Sequence, residues 1–207
     1  MRTLILAVLF TLATSFVTYA DEKAEVLLLI KSRIDKIVEL LRNEKISKAE
    51  RDKKIITTIS PIFDFALMAK ISLGKKHWRP LSAEERKAFI DLFVLRLQES
   101  YLDKLDLYTD EEVVVEEAVT VKKRIHVLTH LVTKDDKLEM VYKFYKAKNN
   151  WKVYDVVILG VSVVQTYRSQ FRGILKNTSF SDLMKKLETT GGFSIPTDNN
   201  GKRTSAS

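Results

Sequence analysis

The sequence predicts an α+β fold in which N-terminal helices, a curved four-stranded antiparallel sheet and C-terminal helices enclose an apolar cavity. Three observations predict it. Apolar residues recur with the 3.6-residue period of a helix as far as about Tyr101. After about Asp110 the chain changes to β-rich runs of strand length separated by polar turns. Beyond Gly160 the helical period returns. Helices gathered against one face of a curved sheet can enclose a cone-shaped cavity.

The first half of the chain is predicted to contain four helices. Residues 24–41 carry an apolar stripe with helical spacing. A Ser that can accept hydrogen bonds from first-turn N–H groups precedes each of the other three. These starts are Ser47-x-x-Glu50, Ser60 followed by Pro61, and Ser82-x-x-Glu85. Gly74 is expected to end the helix that Pro61 begins, since glycine is favoured just beyond a helix C-terminus. The following GKKHWRP is expected to be a polar loop.

The second half is predicted to be a four-stranded meander followed by two helices. The polar turns at 133–136 and 148–150 favour antiparallel hairpins. The predicted strands are 113–119, 123–133, 137–146 and 151–159. Ser162-x-x-Gln165 and Ser179-x-x-Asp182 begin the last two helices.

The two ends of the chain are expected to lie outside the folded domain. Residues 1–20 have a positive start at Arg2, an apolar core and a small residue, Ala20, at the end, which is typical of a cleaved secretory signal peptide. Residues 191–207 are rich in Gly, Ser and Asn and are expected to be a disordered tail. One domain, 21–190, is therefore predicted, and it lacks any second apolar run long enough to span a membrane.

Composition excludes disulfides, since the chain has no Cys, and the net charge of +8 is only a weak pointer to anionic partners. The charge run 122–124 is expected to be solvated, because aromatic residues do not alternate with the bases as in nucleic-acid binding modules. No nucleic-acid partner is predicted.

Catalytic and metal-binding patterns are missing from the sequence. It has no Gly-rich phosphate loop, no G-x-S-x-G and no H-E-x-x-H. His126 and His130 have a metal-ligand spacing only on a helix; on a strand they stand about 13 Å apart, so surface or edge histidines are expected. Asp64 and Asp155 could act as general bases. We favour structural roles, with Asp64 in the first turn of its helix and Asp155 paired with Arg168.

The feature of the sequence that remains to be explained is the number of apolar residues on its predicted strands. Strand 151–159 is expected to carry Trp151, Val153, Val157 and Leu159 on one face and Tyr154, Val156 and Ile158 on the other. A sheet with two apolar faces needs cover on both sides or a ligand on one. The open alternative is an ordinary core filled on both sides.

Three segments carry a resemblance to a known family. MAKISLGKKHWRPLSAEERKAFIDLF (68–93), WKVYDVVILGVSVVQTYRSQFRGIL (151–175) and FSDLMKKL (180–187) resemble signatures of the MlaC family. These are periplasmic phospholipid-binding proteins, also called toluene-tolerance or Ttg-type auxiliary transport proteins. Leu159 departs from the pattern, where a polar or acidic residue is expected before the glycine.

The resemblance implies a carrier of diacyl phospholipid between the inner and outer membranes that maintains outer-membrane lipid asymmetry. The implied partners are an inner-membrane ABC transporter complex with an MCE-domain protein and an outer-membrane MlaA-type lipoprotein with a porin. The implied protein is a periplasmic monomer without catalytic residues, cofactor or metal, with bound phospholipid as cargo.

The residues expected to bind lipid were chosen by face and size. They are Phe65, Met68, Phe93, Leu97, Tyr101, Val127, Met140, Tyr142, Phe144, Val153, Val164, Tyr167 and Phe171. Lys75, Lys76 and Arg168 are candidates to contact the phosphate of the headgroup.

Two other functions stay open on the sequence. The same layout resembles the NTF2-like cone, which hosts small-molecule enzymes and would use Asp64 or Asp155 as a base. A periplasmic adaptor or chaperone with a filled core would contain no cavity.

Overall fold

The computed structural model describes residues 17–105, 112–132, 137–148 and 150–189. The predicted leader lies outside this range except for its last four residues, which belong to the first helix, and the predicted tail lies outside it entirely. The elements in chain order are α1 (Val17–Leu41), α2 (Lys48–Ile59), a 3₁₀ turn (Ser60–Ile62), α3 (Phe65–Leu73), α4 (Lys75–Trp78), α5 (Ala83–Leu105), β1 (Glu112–Val121), β2 (Arg124–Val132), β3 (Lys137–Ala147), β4 (Asn150–Ile158), β5 (Val161–Ser162), α6 (Val163–Leu175) and α7 (Phe180–Glu188). The predicted α+β fold and its order of elements are confirmed.

The helix starts follow the capping residues. The Ser82 N–H donates to the Glu85 carboxylate (2.8 Å), and the Glu85 N–H donates to the Ser82 hydroxyl (3.1 Å). Ser47, Ser162 and Ser179 also accept a first-turn N–H at α2, α6 and α7. These short-range bonds satisfy donors that a helix leaves unpaired at its N-terminus, so the starts could be predicted locally.

The third helix differs from the prediction. A 3₁₀ turn occupies Ser60–Ile62, and α3 begins only at Phe65, with Asp64 as its N-cap. The interruption has a tertiary cause: Phe63 is extended and pairs with Val153 of β4, and the Asp64 N–H donates to the Val153 carbonyl (2.8 Å). The segment thus satisfies part of the open edge of β4. The expected loop after Gly74 contains the short helix α4.

The sheet is an antiparallel meander of five strands in the order β1-β2-β3-β4-β5. The prediction of four strands missed β5, a two-residue strand that pairs with the end of β4. Leu159 (φ 49°) and Gly160 (φ 80°) form the tight turn between them. Positive φ at both central residues is the requirement of a type I′ hairpin, which favours glycine. Leu159 and Gly160 thus reverse the chain sharply between β4 and β5.

A β-bulge in β4 changes the predicted faces of that strand. Lys143 pairs with Asp155 and Phe144 pairs with Val153, so Tyr154 is the extra residue. The pairing therefore places Val153 on the same face as Val156 and Ile158, rather than opposite them as predicted. We call this the inner face; it also carries Ile125, Val127, Leu138, Met140, Tyr142 and Phe144, by the register of β2 and β3.

Among the described residues, the buried apolar side chains form two cores. One joins α3, α5, α6 and α7 around Phe89, Phe93, Tyr167 and Phe171. The other joins α1 to the inner face around Ile30, Val127, Phe144 and Val153. We call them the helical core and the sheet core.

Candidate functional site

A cavity of about 510 Å³ lies between the two cores. Its walls come from α1, α2, the 3₁₀ turn and the following Phe63, α3, α5, the first residue of α6 and the inner face of the sheet. Its lining residues are Ile30, Arg33, Ile34, Ile37, Val38, Leu41, Ile55, Ile56, Ile59, Ile62, Phe63, Phe65, Met68, Leu97, Gln98, Tyr101, Leu102, Leu105, Val113, Leu131, Leu138, Met140, Tyr142, Val156, Ile158 and Val163. The volume is in the range of ordinary ligand cavities, about 300–1,000 Å³.

The lining is almost entirely aliphatic and aromatic. Its polar side chains are Arg33, Gln98, Tyr101 and Tyr142. Burial raises the pKa of the Tyr142 phenol to about 12. Burial, followed by the nearby Tyr167 and Asp155, raises the pKa of Tyr101. Both phenols are therefore neutral at physiological pH, and no carboxylate is found among the described residues that line the cavity. Such a surface suits an apolar ligand better than a reaction that needs a buried base.

Six of the thirteen residues expected to bind lipid line this cavity. They are Phe65, Met68, Leu97, Tyr101, Met140 and Tyr142. They converge from α3 and α5, which are close in sequence, and from β3, which follows much later in the chain.

The other seven do not line the cavity. Phe93, Val164, Tyr167 and Phe171 lie in the helical core. Val127, Phe144 and Val153 lie in the sheet core beneath α1. All seven are at most 2% exposed and are surrounded by other apolar side chains, as expected for packed interior positions.

The α1 and α2 side of the cavity was missed from the sequence. Ile34, Ile37 and Val38 of α1 and Ile55 and Ile59 of α2 form much of the wall. The sequence shows their helical period, but an apolar stripe has the same spacing whether it faces a filled core or a cavity. Nothing in the sequence distinguished the two cases.

The three residues expected at the headgroup lie elsewhere. Lys75 and Lys76 are exposed on the short α4. Arg168 is exposed on α6, and its Nε lies 3.8 Å from the position that a Cβ on Gly74 would take. None of the three lines the cavity, because α4 and the outer side of α6 flank the helical core.

Asp155 has a structural role, but its partner differs from the prediction. Its carboxylate is buried and accepts from Lys143 Nζ (3.0 Å), the Ser162 hydroxyl (2.8 Å) and the Val164 N–H (3.2 Å). The expected partner, Arg168, is not among these donors. The bulge at Tyr154 turns Asp155 away from the inner face toward the start of α6, where it satisfies a first-turn N–H.

Asp64 also has a structural role, because both of its carboxylate oxygens accept hydrogen bonds from the protein. It accepts the Leu67 N–H of α3 (2.8 Å), and the Tyr145 hydroxyl donates to its other oxygen. Burial and this bond raise the pKa of Tyr145 to about 12. Neither Asp64 nor Asp155 lines the cavity.

The two histidines of β2 lie on the face of the sheet opposite the inner face. Both were expected at the surface or at an edge, but one of them is buried. His130 is buried, with Nδ1 2.7 Å from Glu116 Oε1. His126 is half-buried, and burial, then Lys143 and Arg124, lower its pKa. Within the described ranges, no three His, Asp or Glu side chains are grouped closely enough to hold a metal ion.

A second concavity of about 520 Å³ lies at the opposite end of the sheet. Lys122, Lys123 and Arg124 of the exposed β1–β2 turn, together with Lys146, line it. The charge run 122–124 is solvent-exposed, as predicted. Its lining shares no residue with that of the cavity between the two cores.

In the part of the chain that the structure describes, no helix is both long enough and apolar enough to cross a bilayer.

Comparison with known proteins gives the family. The family model for the MlaC protein matches residues 31–189. This chain belongs to the MlaC family. The match begins inside α1 and ends just after α7, so it includes every cavity-lining residue except Ile30.

Relatives of this MlaC-family chain include the intermembrane phospholipid transport system binding protein MlaC of Haemophilus influenzae. The two are 23% identical over 160 residues, which cover 72% of this chain and 74% of that protein. Among solved structures, the phospholipid-binding protein of Ralstonia solanacearum in complex with a phospholipid superimposes with a TM-score of 0.71. It is 20% identical, and the alignment covers 78% of this chain and 94% of that one. At that identity the likeness establishes a shared fold.

Proposed function

We propose that this MlaC-family protein carries diacyl phospholipid between the inner and outer membranes, as the periplasmic component of an Mla-type transport system. The apolar cavity between the two cores is the observation that carries the proposal. The relatives support it, since one is named for intermembrane phospholipid transport and another was solved with a phospholipid.

The energetics explain why such a lipid needs a carrier. Each CH₂ group transferred from water to an apolar environment gains about 0.8 kcal/mol. Exposing the two acyl chains, of about sixteen carbons each, to water therefore costs on the order of 25 kcal/mol. Free diffusion through water is therefore negligible. A cavity lined by side chains such as Ile34, Leu97 and Met140 replaces the apolar surroundings that the bilayer provides.

The same lining permits loose selection of acyl chains. Hydrocarbon chains present no hydrogen-bonding groups, so an aliphatic wall can distinguish acyl chains only by their volume. Transfer at each membrane then requires docking to a partner. The proposed partners are an inner-membrane ABC transporter complex with an MCE-domain protein and an outer-membrane MlaA-type lipoprotein with a porin, served by a monomer exported behind a cleaved leader.

The two alternative functions have less support from the geometry. An NTF2-like enzyme needs a reactive polar group in its cavity, and both carboxylates considered for that role, Asp64 and Asp155, are bonded elsewhere. An adaptor with a filled core does not account for an apolar space of about 510 Å³.

A lipid-transfer assay with one wall substitution tests the proposal. Met140→Glu places a carboxylate on the apolar wall, where an uncompensated charge is strongly unfavourable next to acyl chains. We expect the variant to fold but to lose transfer of labelled phosphatidylglycerol between donor and acceptor vesicles, and to retain no lipid after gel filtration.

The matched control is Val119→Glu. Val119 is 46% exposed on β1, so it adds the same charge to the same sheet outside the cavity. We expect it to transfer lipid like the unmodified protein. Equal transfer by both variants at equal folding would show that the cavity does not hold the lipid.

A further inference from the structure

The cavity contains one feature that an acyl chain does not explain, the guanidinium of Arg33. Among the described lining residues it is the only one that carries a charge at physiological pH. It lies on α1 between Ile30 and Ile34, which are buried in the wall. A purely hydrocarbon ligand would leave this cation against apolar surface, which is unfavourable.

Within the described residues, no acidic side chain supplies a counter-charge for it. The Nε of Arg33 is inaccessible to solvent and has no hydrogen-bond partner. The acidic residues nearby on α1 are paired with lysines: Asp35 with Lys31 (3.0 Å) and Glu39 with Lys36 (2.7 Å). No ion pair joins Arg33 to any residue in the described part of the chain. Because arginine does not lose its proton, it cannot avoid this cost by becoming neutral.

The position of Arg33 fits the rim of the cavity. The residue as a whole keeps partial exposure, whereas its neighbours Ile30 and Ile34 are 2% and 7% exposed. A lipid whose acyl chains lie among these isoleucines would have its phosphate near the boundary between the wall and water. A guanidinium donates two parallel hydrogen bonds to a phosphate, a geometry that lysine does not offer.

We propose that Arg33 binds the phosphate of the cargo lipid and that it makes the cavity selective for lipids that carry a phosphate. The inference rests on the proposed function and adds to it a selective contact. It also replaces the residues expected from the sequence, since Lys75, Lys76 and Arg168 do not line the cavity. The arginine bonds the phosphate ester shared by the phospholipid classes, so it does not distinguish headgroup alcohols.

A competition between two lipids with the same acyl chains tests the inference. The full chain, stripped of lipid, is incubated with mixed phosphatidylglycerol and diacylglycerol, and the bound lipids are extracted and counted. We expect the unmodified protein to prefer phosphatidylglycerol by about tenfold or more, the size expected for charge-assisted hydrogen bonds. Arg33→Gln should bring this preference close to one while diacylglycerol uptake stays unchanged.

Two further variants serve as controls. Arg42→Gln removes an exposed arginine just beyond α1 and should retain the full preference. Arg33→Lys keeps the charge without the planar fork and should retain part of it. Removing an unpaired cation should not lower the midpoint of thermal unfolding, so circular dichroism can show that Arg33→Gln is folded.

The possible outcomes are distinct. If Arg33→Gln prefers phosphatidylglycerol as strongly as the unmodified protein, the assignment of Arg33 is overturned while the carrier function stands. If the unmodified protein takes up neither lipid, both fail. Inorganic phosphate is added as a separate competitor. Displacement of phosphatidylglycerol by millimolar phosphate would identify a free-phosphate site and overturn the lipid assignment, whereas no displacement supports it.

Discussion

Replacing Asp155 by alanine should destabilise the protein by about 3–5 kcal/mol, the range measured for removal of one partner of a buried ion pair. The carboxylate is 5% exposed and accepts from Lys143, Ser162 and the Val164 N–H. Alanine would leave the Val164 N–H, which is buried at the start of α6, without an acceptor, and Lys143 without its counter-charge. Such a loss is a large fraction of the 5–15 kcal/mol that stabilises a typical domain.

Urea unfolding followed by tryptophan fluorescence and by circular dichroism would measure this loss. Asp155→Asn is the matched control, because its amide oxygen can still accept from Val164 or Ser162 and only the charge is removed. We expect its cost to be smaller. In the Asp155→Ala/Lys143→Met double variant the cost should be less than the sum of the two single costs, since the uncompensated lysine is removed. A cost below about 1 kcal/mol for Asp155→Ala would refute the view that this residue joins β4 to α6.

Two other predictions separate the cores from the cavity. Phe93 is fully buried and meets the ring of Tyr167 edge-on, with 5.1 Å between the ring centres. Phe93→Ala should therefore lower the free energy of urea unfolding by about 3–5 kcal/mol but leave the lipid content of the folded protein unchanged. A loss of lipid without a loss of stability would place Phe93 in the cavity instead. Tyr142 has a folded-state pKa of about 12 against about 10 unfolded, so the stability that its neutral form contributes is complete below pH 10 and is lost as the pH rises through 12. Relative to Tyr142→Phe, the unmodified protein should lose about 3 kcal/mol of unfolding free energy over that window, and parallel pH profiles for the two proteins would contradict the burial of the phenol.

The fold could be predicted where local chemistry decides it. The Ser82–Glu85 capping box and the Gly160 turn depend on residues within a few positions of each other. The interruption before α3 and the bulge at Tyr154 could not be predicted in this way. They arise because Phe63 and Asp64 bond to β4, a contact about ninety residues away in sequence, and because the strand must turn Asp155 toward α6.

The site could be predicted only in part, for a physical reason that α5 illustrates. Phe93 and Leu97 are one helical turn apart on the same apolar stripe and both belong to the helical core, yet only Leu97 also lines the cavity. Periodicity assigns a residue to the buried side of a helix, but the boundary between packed core and cavity depends on which elements fail to meet. The sequence does not single out Arg33, because an arginine at the edge of a cavity and a solvated arginine occupy the same kind of position on an amphipathic helix.

Native mass spectrometry of the protein purified from bacterial periplasm without detergent, followed by lipid extraction, tests the central claim most directly. The cavity between the two cores should hold a cargo lipid, so the account predicts a stoichiometric adduct with the mass of a diacyl phospholipid. Met140→Glu, purified in parallel, should have the mass of the protein alone. An unmodified protein that is free of lipid, and that takes up none from phospholipid vesicles, would contradict the account.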